Sequence, residues 1–159
     1  MRGGGMTGAL TIRPAQPADA QGIAQVLHSV GWFDSFERGS PQTHATNLAP
    51  LLVPSERQLQ LVACDAQGRV LGYCATHWLP TAILQGWDAY VSELFMHADA
   101  RGMGVGSQLL QQAVDAAHEK GCSRIWLVNN RDRDSYLRSF YAQQGWQEQS
   151  QAARFVLTL

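Results

Sequence analysis

The sequence predicts a mixed α/β fold, an α+β arrangement in which a mixed sheet carries helices on both faces. Three observations lead there. Strand-like runs are interleaved with helical segments long enough to cross a sheet. Residues 102–120 repeat apolar side chains at helical spacing, with Leu109, Leu110, Ala113, Val114 and Ala117 in one stripe. Residues 124–129 are almost continuously apolar, as in a strand covered on both sides.

The elements follow in order. Residues 10–13 make a short strand, punctuated by Pro14 and Pro17. Pro17 suits a first helical position, and Asp19 in the first turn favours the helix dipole. Ile23, Val26, Leu27 and Val30 then define an apolar helix face, which Gly31 ends. A second helix is expected over 44–52, closed by Pro50 and Pro54. Residues 60–66 and 69–77 read as two strands joined by a turn with Gly68 at its last position. Residues 78–89, with Pro80 and Gly86, are expected to be a loop, and 90–97 a strand. On that strand, strict alternation sets Val91, Glu93 and Phe95 on one face and Tyr90, Leu94 and Met96 on the other. After the long helix, with its basic last turn and Gly121 stop, come the 124–129 strand and a helix over 135–144 capped by Gly145. Alternating Phe155, Leu157 and Leu159 predict a closing strand.

Composition sets bounds. The chain has 159 residues and a net charge of −1 at pH 7, which fits one domain over 9–159 after a glycine-rich, unstructured tail over 1–8. No long basic run exists, so a nucleic-acid partner is not expected. No apolar run approaches the ~18–20 residues of a membrane span. The three cysteines, Cys64, Cys74 and Cys122, form no CxxC. They read as thiols in a reducing cytoplasm, and neither a disulfide framework nor a zinc site is expected. The histidines have no HExxH spacing, so no metal is expected.

One segment carries chemistry. Between the 90–97 strand and the long helix lie Arg101, Gly102, Met103, Gly104, Val105, Gly106 and Ser107. A helix start offers amides without intrahelical partners and the positive end of the dipole. Glycines let a ligand approach the backbone and permit positive φ. Strand, glycine-rich turn and helix therefore make an anion site, for which phosphate is the usual guest. A P-loop reading fails, because Gly106 is followed by Ser107 and Gln108 rather than by lysine. A dinucleotide fingerprint fails too, because its third glycine is missing and no acidic residue follows about 20 positions on.

The pattern that does fit is R-x-x-G-x-G, filled by Arg101, Gly104 and Gly106. It stands beside Glu93-Leu-Phe-Met96 upstream and Phe140-Tyr-Ala-Gln-Gln-Gly-Trp146 downstream. In these segments, and in its Thr11-Ile-Arg-Pro-Ala15 opening with Asp19, the chain resembles the GNAT superfamily of acetyl-CoA-dependent N-acetyltransferases. The resemblance covers nearly all of the chain after Gly8 and is most specific over 91–146. It implies a central, mostly antiparallel sheet with one splayed parallel pair, the 90–97 and 124–129 strands. It implies pantetheine of acetyl-CoA pairing with Leu94, Phe95 and Met96, and pyrophosphate on the amides of 102–107. The function implied is transfer of an acetyl group to a primary amine, of a small molecule or a protein, by direct attack in a ternary complex. A non-catalytic acyl-CoA-binding sensor or partner module is the alternative. Dimers are common in the family, which makes a homodimer an arrangement the resemblance allows.

Amine acetylation sets two tasks. An alkylammonium of pKa ~10.4 must lose a proton, which costs ~4–5 kcal/mol at pH 7. The departing thiolate must be stabilised. Tyr141 matches the family's position for the second task. Proton transfer from a tyrosine (pKa ~10) to a thiolate (~8.5) is uphill by ~2 kcal/mol, so a hydrogen bond that strengthens as charge develops is its expected role. Its other reading is a core aromatic beside Phe140 and Leu137. Glu93 stands where many relatives place a glutamate, either as base, directly or through water, or as a structural carboxylate. The family often has an asparagine seven residues before the tyrosine, where this chain has Asp134. Asp134 and Asn130 are the expected cofactor contacts here, with Asn129 beside them. The segment 131–135 either meets the 3′-phosphate or caps a helix.

Overall fold

The computed structural model describes residues 8–34 and 38–159. The tail expected over 1–8 lies outside the described residues, except for Gly8. Two compact units form, one ending at Leu127 and a smaller one from Val128 to Leu159.

The larger unit is built on a five-stranded sheet in the order β1-β2-β3-β4-β5. The strands are β1 (Thr11–Pro14), β2 (Gln58–Cys64), β3 (Val70–Thr81), β4 (Gly86–Met96) and β5 (Ile125–Leu127). Neighbours are antiparallel except β4 and β5, which are parallel. This is the mixed sheet the sequence predicts.

Local chemistry explains the first hairpin. Asp65 Oδ1 accepts the backbone N–H groups of Gln67 and Arg69, both at 2.9 Å, and Gly68 takes φ 82°. That is an Asx-type turn, in which the carboxylate replaces a backbone acceptor. The second hairpin corrects the sequence reading. Residues 78–89 are not a loop: β3 runs on to Thr81 and β4 starts at Gly86, joined by one 3-10 turn, Ala82–Leu84. Pro80 and Gly86 read as breakers, but both stand at the far end of the hairpin, where a missing N–H or side chain costs little.

Two helices cover one sheet face. α1 (Ala20–Val30) is entered through a 3-10 turn, Pro17–Asp19, and ends on Gly31 in the left-handed region. Its Ile23, Val26 and Leu27 pack into a core with Val62, Tyr73 and Ala75. α2 (Pro41–Leu48) is capped by the Ser40 hydroxyl, which accepts the Thr43 N–H, and is extended by a 3-10 turn, Ala49–Leu52. α3 (Val105–Lys120) covers the opposite face and stops at Gly121. Ile23, Val26, Leu109 and Leu110 are at most 1% exposed. Each such burial contributes on the order of 1.5–3 kcal/mol.

Arg13 ties β1 to the start of α1. Its guanidinium donates to both oxygens of Asp19 at 2.8 Å, and the Gln16 N–H donates to the same carboxylate at 2.8 Å. These bonds hold the Asp19 carboxyl below the usual carboxylate range, with the Arg13 contact the largest cause.

The smaller unit is less regular than the sequence suggests. The helix expected over 135–144 is two pieces, α4 (Asp134–Leu137) and a 3-10 turn, Ala142–Gln144. Ser139 breaks it at φ 59°. The break separates Leu137, 71% exposed, from buried Phe140, so the expected shared face is lost. The terminal alternation forms no strand, and Phe155 and Leu157 are exposed. Alternation alone does not make a strand without a neighbour to take its ladder bonds.

Candidate active site

β4 is the spine of the site. β5 pairs with it only over Ala89, Val91 and the Tyr90 between them. From Ser92 to Met96 the β4 backbone has β3 as its strand partner and, among the described residues, none on the other edge. An unpaired strand edge inside a sheet presents amide donors and acceptors to a ligand. Leu94, Phe95 and Met96, expected along pantetheine, all lie on this edge.

A β-bulge re-aims the strand. Thr76 pairs with Val91 and Ala75 with Glu93, so Ser92 is the extra residue. One extra residue reverses the faces of everything beyond it. Strict alternation is therefore wrong for this strand. Val91 shares the α3 face with Thr76, and both are buried. Glu93 and Phe95 share the other face with Ala75 and Tyr73. Phe95 packs edge-on to Phe33 with centroids 5.5 Å apart.

Glu93 is half-buried. Among the described residues its carboxylate makes no side-chain hydrogen bond or ion pair. Burial raises its pKa, since charge is disfavoured away from water. The same carboxylate adds to burial in holding the Tyr73 hydroxyl protonated, and that hydroxyl is 3.0 Å from Gln60 Nε2. Beside Glu93, Ser92 Oγ is 2.7 Å from His77 Nε2. Burial lowers the His77 pKa, which favours the neutral ring.

The glycine loop connects this edge to α3. Gly102 and Gly104 take φ 77° and 73°, as expected for glycines in a turn. The first helical bond runs from Gln108 N–H to Gly104 O at 3.1 Å. Val105, Gly106 and Ser107 thus carry amides with no helical carbonyl to meet. No acidic residue occupies the first turn. Arg101 and Met103 are exposed, while Val105 and Gly106 are buried. The start of α3 is pressed onto β3 at Gly72. The arrangement fits the phosphate end of an extended anionic ligand.

In the smaller unit, Tyr141 is half-buried and lies edge-on to Phe140 and Trp146, with centroids 4.9 and 6.0 Å away. Gly145 at φ 87° folds the chain so that the Trp146 N–H donates to Tyr141 O at 3.1 Å. That turn is the physical content of the Tyr-x-x-x-Gly-Trp spacing. Asp134 is exposed and paired with Arg138 at 3.1 Å. Asn130 is exposed, whereas Asn129 Oδ1 accepts the Ser135 hydroxyl at 3.0 Å.

Sequence reasoning missed several parts of the site. The Ser92 bulge, the His77–Ser92 contact and Gly72 all depend on strand register, which a single sequence does not display. A shallow hollow of 430 Å³ at the β3–β4 turn, lined by Pro80, Thr81, Ala82, Gln85, Gly86 and Trp87, lies far along the hairpin from Glu93. It contains no titratable side chain. Among the described residues no group of three or more histidine, cysteine or acidic side chains is arranged to hold a metal. No described helix is long and apolar enough to cross a membrane.

Known proteins share this architecture. A transcriptional regulator from Bacillus halodurans superposes with TM-score 0.75 at 25% identity, over 94% of this chain and 100% of that one. A ribosomal-protein-alanine N-acetyltransferase from Brucella melitensis biovar Abortus superposes with TM-score 0.72 at 21% identity, over 95% and 99%. In sequence, a thialysine N-epsilon-acetyltransferase from Bos taurus is 28% identical over 71 residues, 42% of this chain. That match spans about two-fifths (41%) of the relative's own length. Residues 27–146 match the family model described as the acetyltransferase (GNAT) family. The chain belongs to that family.

Proposed function

We propose that the protein moves an acetyl group from acetyl-CoA to a primary amine, by direct attack of the amine within a ternary complex. The observation that carries this reading is the β4 edge. Past Val91 that edge has no strand partner among the described residues, and β4 leads into the glycine loop at the start of α3. An amide-bearing arm complements the first, and a pyrophosphate complements the second.

Leu94, Phe95 and Met96 bind the pantetheine arm through their backbone. Arg101, Gly102, Met103, Gly104, Val105, Gly106 and Ser107 hold the pyrophosphate, and Asn130 and Asp134 contact the cofactor. Glu93 takes the proton of the acceptor ammonium, directly or through one water. Its burial makes it a better proton acceptor than an exposed glutamate. The amine nitrogen then forms the C–N bond, the C–S bond breaks, and the electron pair leaves on sulfur. Tyr141 donates a hydrogen bond to that thiolate, which strengthens as charge develops. The proton on Glu93 returns to solvent, and the second proton that the nitrogen sheds on becoming an amide goes to the thiolate through water, which leaves CoA as the free thiol.

The test is thiol release from acetyl-CoA over a panel of primary amines. Release with at least one amine, and a matching acetylated product, is expected. Tight acetyl-CoA binding with no transfer to any amine would instead support a non-catalytic acyl-CoA-binding module.

A further inference from the structure

Three rings stand in one row across three strands, on the sheet face that carries Glu93. His77 of β3 is paired with Tyr90 of β4, and Tyr90 with Trp126 of β5. His77 lies two residues from Ala75, the partner of Glu93, so it shares that face. The His77–Tyr90 centroids are 6.2 Å apart at 32°, and the Tyr90–Trp126 centroids 4.3 Å apart at 27°. The core beneath α1 and α2 includes Tyr73 and Ala75 but none of these three rings.

Both ends of the row are anchored. Ser92 Oγ holds His77 Nε2 at 2.7 Å. At the other end the Trp126 Nε1–H donates to Asp88 Oδ2 at 3.2 Å. Asp88 is only 3% exposed and is gripped by the Arg124 guanidinium through bonds of 2.9–3.1 Å. Trp126 nonetheless leaves 38% of its surface in water. A large ring fixed by hydrogen bonds yet left partly wet is preorganised for a ligand.

Charge narrows the ligand. Of the two β4 carboxylates on this face, Asp88 is neutralised by Arg124. Glu93 has no such partner among the described residues. The face therefore offers a counter-charge for one ammonium, which does not suit a polycation. From Tyr90 to Glu93 the strand rises about 7–10 Å. A planar ring on a two- or three-carbon tether covers that span.

Resting on the acetyl-transfer reading, we propose that Tyr90 and Trp126, aligned by His77, form the acceptor platform, and that the acceptor is a monoamine borne on an aromatic ring. The ring lies against Tyr90 and Trp126, and the ammonium points to Glu93. Asp88 is a positioning residue that acts through Trp126.

Binding tests this without turnover. 2-Phenylethylamine, n-butylamine and spermidine are titrated calorimetrically into the full chain saturated with CoA. Phenylethylamine is expected to bind about two- to twelvefold more tightly than butylamine, the range for one aromatic contact. That ratio should fall to near one in Trp126→Ala and survive in Trp126→Phe. If Trp126→Ala does not fold, Trp126→Leu keeps the bulk, removes the ring, and carries the same comparison. Equal affinity for butylamine, tighter binding of spermidine, or an unchanged ratio without the ring would overturn the platform. The two readings fail separately. A protein that binds phenylethylamine selectively but never acetylates keeps the platform and loses the transfer. One that acetylates alkylamines or spermidine with no aromatic preference keeps the transfer and loses the platform.

Discussion

Gly72 of β3 lies directly under the first turn of α3, so close that a Cβ there would stand 2.8 Å from the Val105 Cγ1 atom. Leu109 Cδ1 would be 2.9 Å away and the Phe95 carbonyl oxygen 3.3 Å. The absent side chain sets how near the N-terminal end of the helix comes to the sheet. Gly72→Ala is therefore expected to destabilise the fold by about 1–3 kcal/mol through overpacking. It should also weaken acetyl-CoA binding by moving the helix start away from β4. Thermal unfolding and calorimetry check both effects, and an unchanged melting temperature would show that the contact yields freely.

Glu93 gives a pH prediction. A base works ionised, and burial disfavours the ionised form, so its pKa lies above the ordinary glutamate value. The acid limb of kcat/KM should lie correspondingly higher than for an exposed carboxylate. Glu93→Gln should lower kcat and flatten that limb. A pH–rate profile with the same limb in the variant would remove Glu93 from proton transfer.

Tyr141 is expected to act on the leaving group alone. Tyr141→Phe should retain acetyl-CoA affinity and lose about tenfold or more in kcat. The retained ring preserves the edge contacts with Phe140 and Trp146. Unchanged kcat with a good acceptor would leave Tyr141 a packing residue.

The Arg13–Asp19 pair sets a stability prediction with a defined sign. Asp19 has a depressed carboxyl pKa in the fold. Its contribution is therefore present above the usual carboxylate range and is lost as pH falls through the native value. Arg13 is 42% exposed, so the gain is discounted for solvent screening. Asp19→Asn should cost about 1–2 kcal/mol at pH 7 and less at pH 3. Denaturant unfolding at the two pH values checks this. A cost that does not shrink in acid would mean that something other than the ion pair is lost.

Much of the fold was legible where a short-range signal existed. Asp65 and Gly68 announce a turn, the helical stripe of 102–120 announces a helix, and Gly31, Gly121 and Gly145 mark stops. The glycine loop was legible for the same reason, since positive φ at Gly102 and Gly104 is a demand the sequence states directly. What failed depends on partners distant in the chain. The bulge at Ser92 exists only relative to Ala75 and Thr76 on β3, so Val91 and Glu93 were wrongly set on one face. Pro80 and Gly86 read as loop residues because their place at the end of a long hairpin is a matter of pairing. The row of His77, Tyr90 and Trp126 comes from three strands and follows no spacing rule. Ser139 at φ 59° broke a helix that its periodicity favoured.

The most direct test is thermal unfolding of the full chain with and without acetyl-CoA, using ATP and NAD as controls. Acetyl-CoA at ~100 times its Kd should add ~2.7 kcal/mol, a rise of a few degrees, which ATP and NAD should not match. No rise with acetyl-CoA in a folded protein, or an equal rise with ATP or NAD, would contradict the assignment of the β4 edge and the 101–107 loop to this ligand.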